Sequence, residues 1–78
     1  MDENQIGRIV VDAAILVHRE LGPGLLETVC EVILADELHQ KSLSCERQLP
    51  VAIERRGIIF DEGFRADIVV ENKVVLEL

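Results

Sequence analysis

The sequence predicts an α+β domain: two N-terminal helices followed by a β-meander. Two observations carry that reading. Apolar residues recur at intervals of three and four up to Lys41, and at intervals of two beyond Ser42. Short turn signals divide the chain at Gly22-Pro23-Gly24, Arg55-Arg56-Gly57, Asp61-Glu62-Gly63 and Glu71-Asn72-Lys73. Seventy-eight residues suffice for one domain, residues 1–78, whose stability margin is thin because a chain this short buries only roughly 60% of its unfolded surface.

The first helix is expected over Glu3 to Leu21, where Ile6, Ile9, Val10, Ala13, Ala14, Val17 and Leu21 form one apolar stripe. Asp2 or Asn4 can cap its start, and Gly22 followed by Pro23 ends it. The second helix is expected from about Leu25 to Gln40. Its stripe is Leu26, Val29, Cys30, Ile33, Leu34 and Leu38, with Glu27, Glu31 and Glu37 on other faces.

A strand enters near Ser44, because Cys45, Arg47, Leu49, Val51 and Ile53 alternate with Glu46, Gln48 and Glu54. Pro50 argues for an edge position or a bulge. After a turn at Arg55-Arg56-Gly57, Ile58 to Phe60 reads as a short strand, and Asp61-Glu62-Gly63 as a further turn. Phe64 to Val70 and Val74 to Leu78 read as the last two strands, rich in Val and Ile.

Composition excludes several functions. Fifteen Asp and Glu against eight Lys and Arg give a net charge of −7, so no broad basic face can steer DNA or an anionic membrane. Two Phe and no Trp or Tyr leave no stacking platform for single-stranded nucleic acid. No apolar run nears the roughly 20 residues of a membrane span. The acidic start MDENQIGR resembles no signal peptide. Cys30 and Cys45 are too few for a disulfide scaffold, so a reducing, cytoplasmic setting is expected.

The last hairpin holds the chemistry. With Glu71, Asn72 and Lys73 as a three-residue loop, Val70 pairs with Val74 and Asp67 lies opposite Glu77; a two-residue loop shifts this by one. Ala66, Ile68, Val70, Val74, Leu76 and Leu78 then form a core face, and Asp67, Val69, Val75 and Glu77 the other. Directly opposed side chains stand about 4.5–5.5 Å apart at Cβ, so the two carboxylates repel. A hard divalent cation removes the repulsion and can polarise a phosphodiester and activate a water. An ordinary solvated face is the alternative.

Three blocks also resemble a known family. Val17 to Glu27 (VHRELGPGLLE), Glu46-Arg47-Gln48 and Asp61 to Asp67 (DEGFRAD) are similar to the GxxExxY family of the PD-(D/E)xK nuclease superfamily. The resemblance spans nearly the whole chain and implies an incomplete restriction-endonuclease-like core, the N-terminal part of a nuclease domain. It implies phosphodiester hydrolysis with Mg²⁺ or Mn²⁺, nucleic acid as a partner, Asp67 and Glu77 as metal ligands, and Glu27 as a third catalytic carboxylate. Arg65, beside Asp67, is the expected phosphate contact.

Two departures qualify this. Cys30 stands where the family motif has Tyr, and is expected to be buried on the helix. No lysine follows Glu77, so the 78-residue form is expected not to cut nucleic acid. The rival expectation is a non-catalytic interaction module that self-associates, as a homo-oligomer, through the open apolar edge Val74–Leu78.

Other constellations are weaker. His18, Cys30, His39 and Cys45 match no zinc spacing. A Cys30 thiol on an apolar face is inert as a nucleophile. Gly22-Pro23-Gly24 lacks the Lys-Ser/Thr of a phosphate loop and follows a helix instead of a strand.

Overall fold

The computed structural model describes residues 1–78, as two helices followed by a three-stranded antiparallel sheet. Helix α1 spans Glu3–Leu21. It begins with a reciprocal cap: the Gln5 N–H donates to Asp2 Oδ1 at 2.8 Å, and the Asp2 N–H donates to Gln5 Oε1 at 2.9 Å. It ends at Gly22, whose φ of 72° suits glycine and whose N–H donates to the His18 carbonyl. Ile6, Val10, Ala13 and Val17 form its buried face, as the stripe predicts.

Helix α2 spans Glu27–Gln40, starting two residues later than expected. Its buried face also differs. Glu31, Leu34, Ala35 and Leu38 point inward, whereas Leu26 and Val29 are exposed and Cys30 is only half-buried. The reason is a polar contact that periodicity cannot register: Glu31 is drawn inward by partners on the sheet.

Strands β1 (Cys45–Arg55), β2 (Ile58–Val70) and β3 (Val74–Leu76) form a sheet in that order. Pro50 lies on β1, an edge strand, where its missing N–H leaves no inner ladder bond unmade. The β1–β2 turn is Arg56-Gly57, both at positive φ, as a two-residue hairpin loop requires. The loop Glu71-Asn72-Lys73 gives the three-residue register, with Val70 paired to Val74 and Ile68 to Leu76.

The expected turn at Asp61-Glu62-Gly63 is not a turn. β2 runs through it without a break, and the register slips there: Val51 pairs with Phe64, but Ile53 pairs with Phe60. β2 therefore holds extra residues as a bulge. Gly63 is required in it, because a Cβ at that position would overlap the side chain of Ile53.

Both helices pack on the sheet, α2 over β1 and β2, and α1 against α2 and β3. The core gathers Ile6, Val10, Ala13 and Val17 from α1, Leu34, Ala35 and Leu38 from α2, Leu43 from the connection, and Ile68 and Val70 from β2. Cys45 packs against this cluster. Burial, and secondly the Glu71 carboxylate, push its thiol above the ordinary cysteine range.

Leu38 is fully buried at the centre of the core. Leu38→Ala is expected to destabilise the domain by about 2–5 kcal/mol, a large share of the total for a chain this size, and urea unfolding followed by circular dichroism measures it. At Cys45, alkylation at mildly alkaline pH is expected to be slow. Glu71→Gln removes one of the two influences that raise the thiol, so it should increase the thiolate fraction and speed the reaction. Site-resolved mass spectrometry reads the rate, and an unchanged rate would refute the electrostatic contribution.

Candidate functional site

Glu31 anchors the polar region. It is 4% exposed, the one charged residue in the buried set. Arg47 Nη2 donates to its Oε2 at 2.9 Å, and Gln48 Nε2 donates to its Oε1 at 2.6 Å. Both carboxylate oxygens are thereby satisfied, which makes burial of the charge tolerable. Gln48 has φ 53°, a left-handed conformation uncommon for a residue with a side chain. It falls between the ladder pairs Arg47–Ile68 and Leu49–Ala66, at the level of Asp67. The strand is distorted where it delivers an amide to the buried carboxylate.

Beside this anchor lies a polar cavity of about 90 Å³ lined by Glu27, Thr28, Glu31, Gln48, Asp67 and Leu78. That is room for a few waters. Glu27 and Thr28 come from the first turn of α2, where the helix dipole favours an anion. Asp67 comes from β2, between Ala66 and Ile68, both fully buried. Its backbone position is therefore set by the core. Two of the sequence-predicted residues, Glu27 and Asp67, meet here although 40 positions separate them.

Glu77 does not line this cavity. The β2–β3 pairs Val70–Val74, Val69–Val75 and Ile68–Leu76 follow the expected register, which places Glu77 at the level of Asp67, one step beyond the last ladder pair. Asp67 Oδ2 accepts the Leu78 N–H at 2.7 Å. Glu77 lines the groove between α1 and β3, with Arg19 and Val75. Arg65 is half-exposed and bonded to Glu62, with Nε donating to Oε1 at 3.0 Å. It is not part of the cavity wall.

Sequence reasoning missed Glu31, Arg47 and Gln48 as a unit. The signal was present in two places. Glu27 and Glu31, one helical turn apart, repel unless one is neutralised. Arg47-Gln48 are the donors that neutralise it.

No group of three or more His, Cys, Asp or Glu side chains is arranged to hold a metal ion. The cavity nevertheless offers two hard oxygen donors, Glu27 and Asp67. Glu31 is committed to Arg47 and Gln48. Two carboxylates completed by water suit Mg²⁺, which keeps several waters and seldom occupies an all-protein cage. The donor set fits such an ion.

A family model for the PD-(D/E)XK nuclease superfamily matches residues 4–78. The chain belongs to that superfamily. No curated protein and no solved structure matches it significantly. Two helices followed by an antiparallel sheet agree with part of the PD-(D/E)XK fold. In this nuclease-superfamily chain the Asp67 strand and the Glu27 helix form the two sides of the polar cavity.

Arg47→Ala would leave the Glu31 carboxylate buried with Gln48 as its one remaining partner. The expected loss is about 1.5–3 kcal/mol, moderated because Arg47 is partly exposed. Replacing both residues together, Glu31→Leu with Arg47→Met, is expected to recover much of that loss. Chemical denaturation of the two variants decides it, and a neutral Arg47→Ala would show that the ion pair anchors nothing.

Proposed function

We propose that the chain is a metal-dependent nuclease domain of the GxxExxY type, with Asp67 and Glu27 as its metal-holding carboxylates. The supporting observation is the convergence of these two residues, from separate elements, on one small polar cavity. Asp67 is the first ligand, held by β2 and oriented by the Leu78 N–H on Oδ2, with its other oxygen left for an ion. Glu27 faces it from the start of α2. Glu77, next in the β3 register, is the third candidate donor.

Bound Mg²⁺ or Mn²⁺ would supply Lewis-acid polarisation of a phosphodiester and a more acidic water. The protein's own part is to hold two carboxylates on rigid elements and to keep Glu31 neutralised by Arg47, so that the cavity is not overloaded with negative charge. Gln48 adds an amide on the cavity wall. Arg65, exposed near Asp67, is the candidate phosphate contact once released from Glu62.

The chain lacks a cation at the reacting position. Lys41 sits at the end of α2 beside Glu37, and the Lys73 ammonium donates to the Met1 carbonyl. Neither lines the cavity. No lysine of these 78 residues thus stands where it would orient the attacking water. We accordingly propose that the 78 residues bind metal without cutting.

Isothermal titration with Mg²⁺ and Mn²⁺ tests the site. Binding heat is expected with the wild-type chain, abolished by Asp67→Ala and weakened by Glu27→Gln. No binding at millimolar metal by a chain that is folded by circular dichroism would overturn the reading of the site. Metal-dependent cleavage of single- or double-stranded oligonucleotides, lost in Asp67→Ala, would overturn the expected inactivity.

A further inference from the structure

Gln48 departs from its surroundings in backbone and in chemistry. It lies within β1 at φ 53°, whereas the other non-glycine residues at positive φ, Ser42, Arg56, Glu71 and Asn72, all lie in turns. Such strain in mid-strand persists only where the surroundings enforce it, and it concentrates at functional sites. Here it falls at one level of the sheet. Gln48 stands opposite Asp67, between the ladder pairs Arg47–Ile68 and Leu49–Ala66, and its side chain lines the cavity of Asp67 and Glu27.

The chemistry of its partner fixes which way the amide is turned. An ionised carboxylate accepts hydrogen bonds and donates none, so the end that meets Glu31 Oε1 at 2.6 Å is Nε2. The other end, Gln48 Oε1, accepts no hydrogen bond within the chain. A lysine could also donate to Glu31, but it would bring the cavity a second cation and no acceptor. The amide satisfies the buried carboxylate and leaves a hard, uncharged oxygen over.

We propose that Gln48 Oε1 is a neutral oxygen ligand for the divalent cation held by Asp67 and Glu27. This role rests on the metal-site reading of the cavity and adds a residue to it. Two carboxylates already balance the charge of a divalent ion, and Glu31 beside them is balanced by Arg47. A carbonyl oxygen therefore completes the donor set without adding charge, and hard cations take such oxygens readily. In this arrangement Glu31 holds the amide in one orientation, as an outer partner does for a metal ligand, and Gln48 offers the ion its oxygen.

Carbon NMR of the wild-type chain carrying ¹³C-labelled glutamine, titrated with Mg²⁺, tests this without any substitution. The chain has three glutamines, and Gln5 and Gln40, which do not line the cavity, serve as internal controls. The Gln48 Cδ resonance is expected to move downfield in step with the calorimetric binding curve, with the other two unmoved. Gln48→Leu should weaken Mg²⁺ binding at least ~10-fold. Binding that requires Asp67 but leaves the Gln48 Cδ resonance in place would overturn the role of Gln48 while the metal site stands. A Leu variant weakened in that circumstance would show that Gln48 serves only Glu31, which overturns it equally, as would a Leu variant that binds as tightly as wild type. Absence of any Mg²⁺ binding by the folded wild-type chain would instead remove the metal site itself, and this role with it. Should Gln48→Leu fail to fold, the wild-type titration decides alone.

Discussion

The buried carboxylate of Glu31 is the constraint on which the polar half of the structure depends. A charge taken out of water destabilises a fold unless both its oxygens are satisfied, and here they are satisfied by neighbours on β1. The bond pair clamps α2 to the sheet edge. It also selects which face of α2 is buried: Glu31 turns inward, and Leu34, Ala35 and Leu38 follow at helical spacing. Leu26 and Val29, which an apolar-only reading would bury, are left outside. An electrostatic contact has overridden hydrophobic periodicity, and the left-handed backbone of Gln48 shows that the strand bends to make it.

That clamp also makes the cavity. Glu27 is one helical turn before Glu31, so fixing Glu31 against β1 carries Glu27 to the level of Asp67. Asp67 is itself held between two fully buried residues of β2. The two carboxylates thus sit on elements whose positions are decided by the core and by the clamp, with no loop between them and their supports. Such support gives a first ligand pair its precision. Arg65 is different in kind: half-exposed and paired with a surface glutamate, it is free to move at little expense.

What was legible in the sequence follows the same division. Elements set by local signals were readable: the Asp2 cap, the Gly22 stop, the edge position of Pro50 and the three-residue loop at Glu71-Asn72-Lys73. Asp67 and Glu27 were nameable, one from the hairpin register and the other from family resemblance. Two features were not readable, and each depends on a non-local contact. The inward turn of Glu31 needs Arg47 and Gln48, which come 16 and 17 residues later. The bulge at Asp61-Glu62-Gly63 looks like a turn because its residues are turn residues, yet Ile53 lies over Gly63 and keeps the strand running. The register of the last hairpin, by contrast, was readable: Val70–Val74, Val69–Val75 and Ile68–Leu76 pair as the loop length predicts, with Glu77 next in line at the level of Asp67. Periodicity and turn chemistry describe what a segment prefers alone, and the Glu31 turn of α2 and the β2 bulge are decided by partners.

The arm brings the thin core and the open surface into one account. Thirteen of 78 residues are buried, and they lie under the helices. The hairpin beyond them is held by its own ladder, and a two-stranded ribbon alone is at best marginally stable in water. Its register survives the bulge because Gly63 lets Ile53 sit close, but its apolar face gains nothing from solvent. The arm therefore rests on its own ladder, whereas the helix-covered half depends on Glu31 and the aliphatic core. One chain thereby carries two units of different thermodynamic character, joined through the continuous strands β1 and β2.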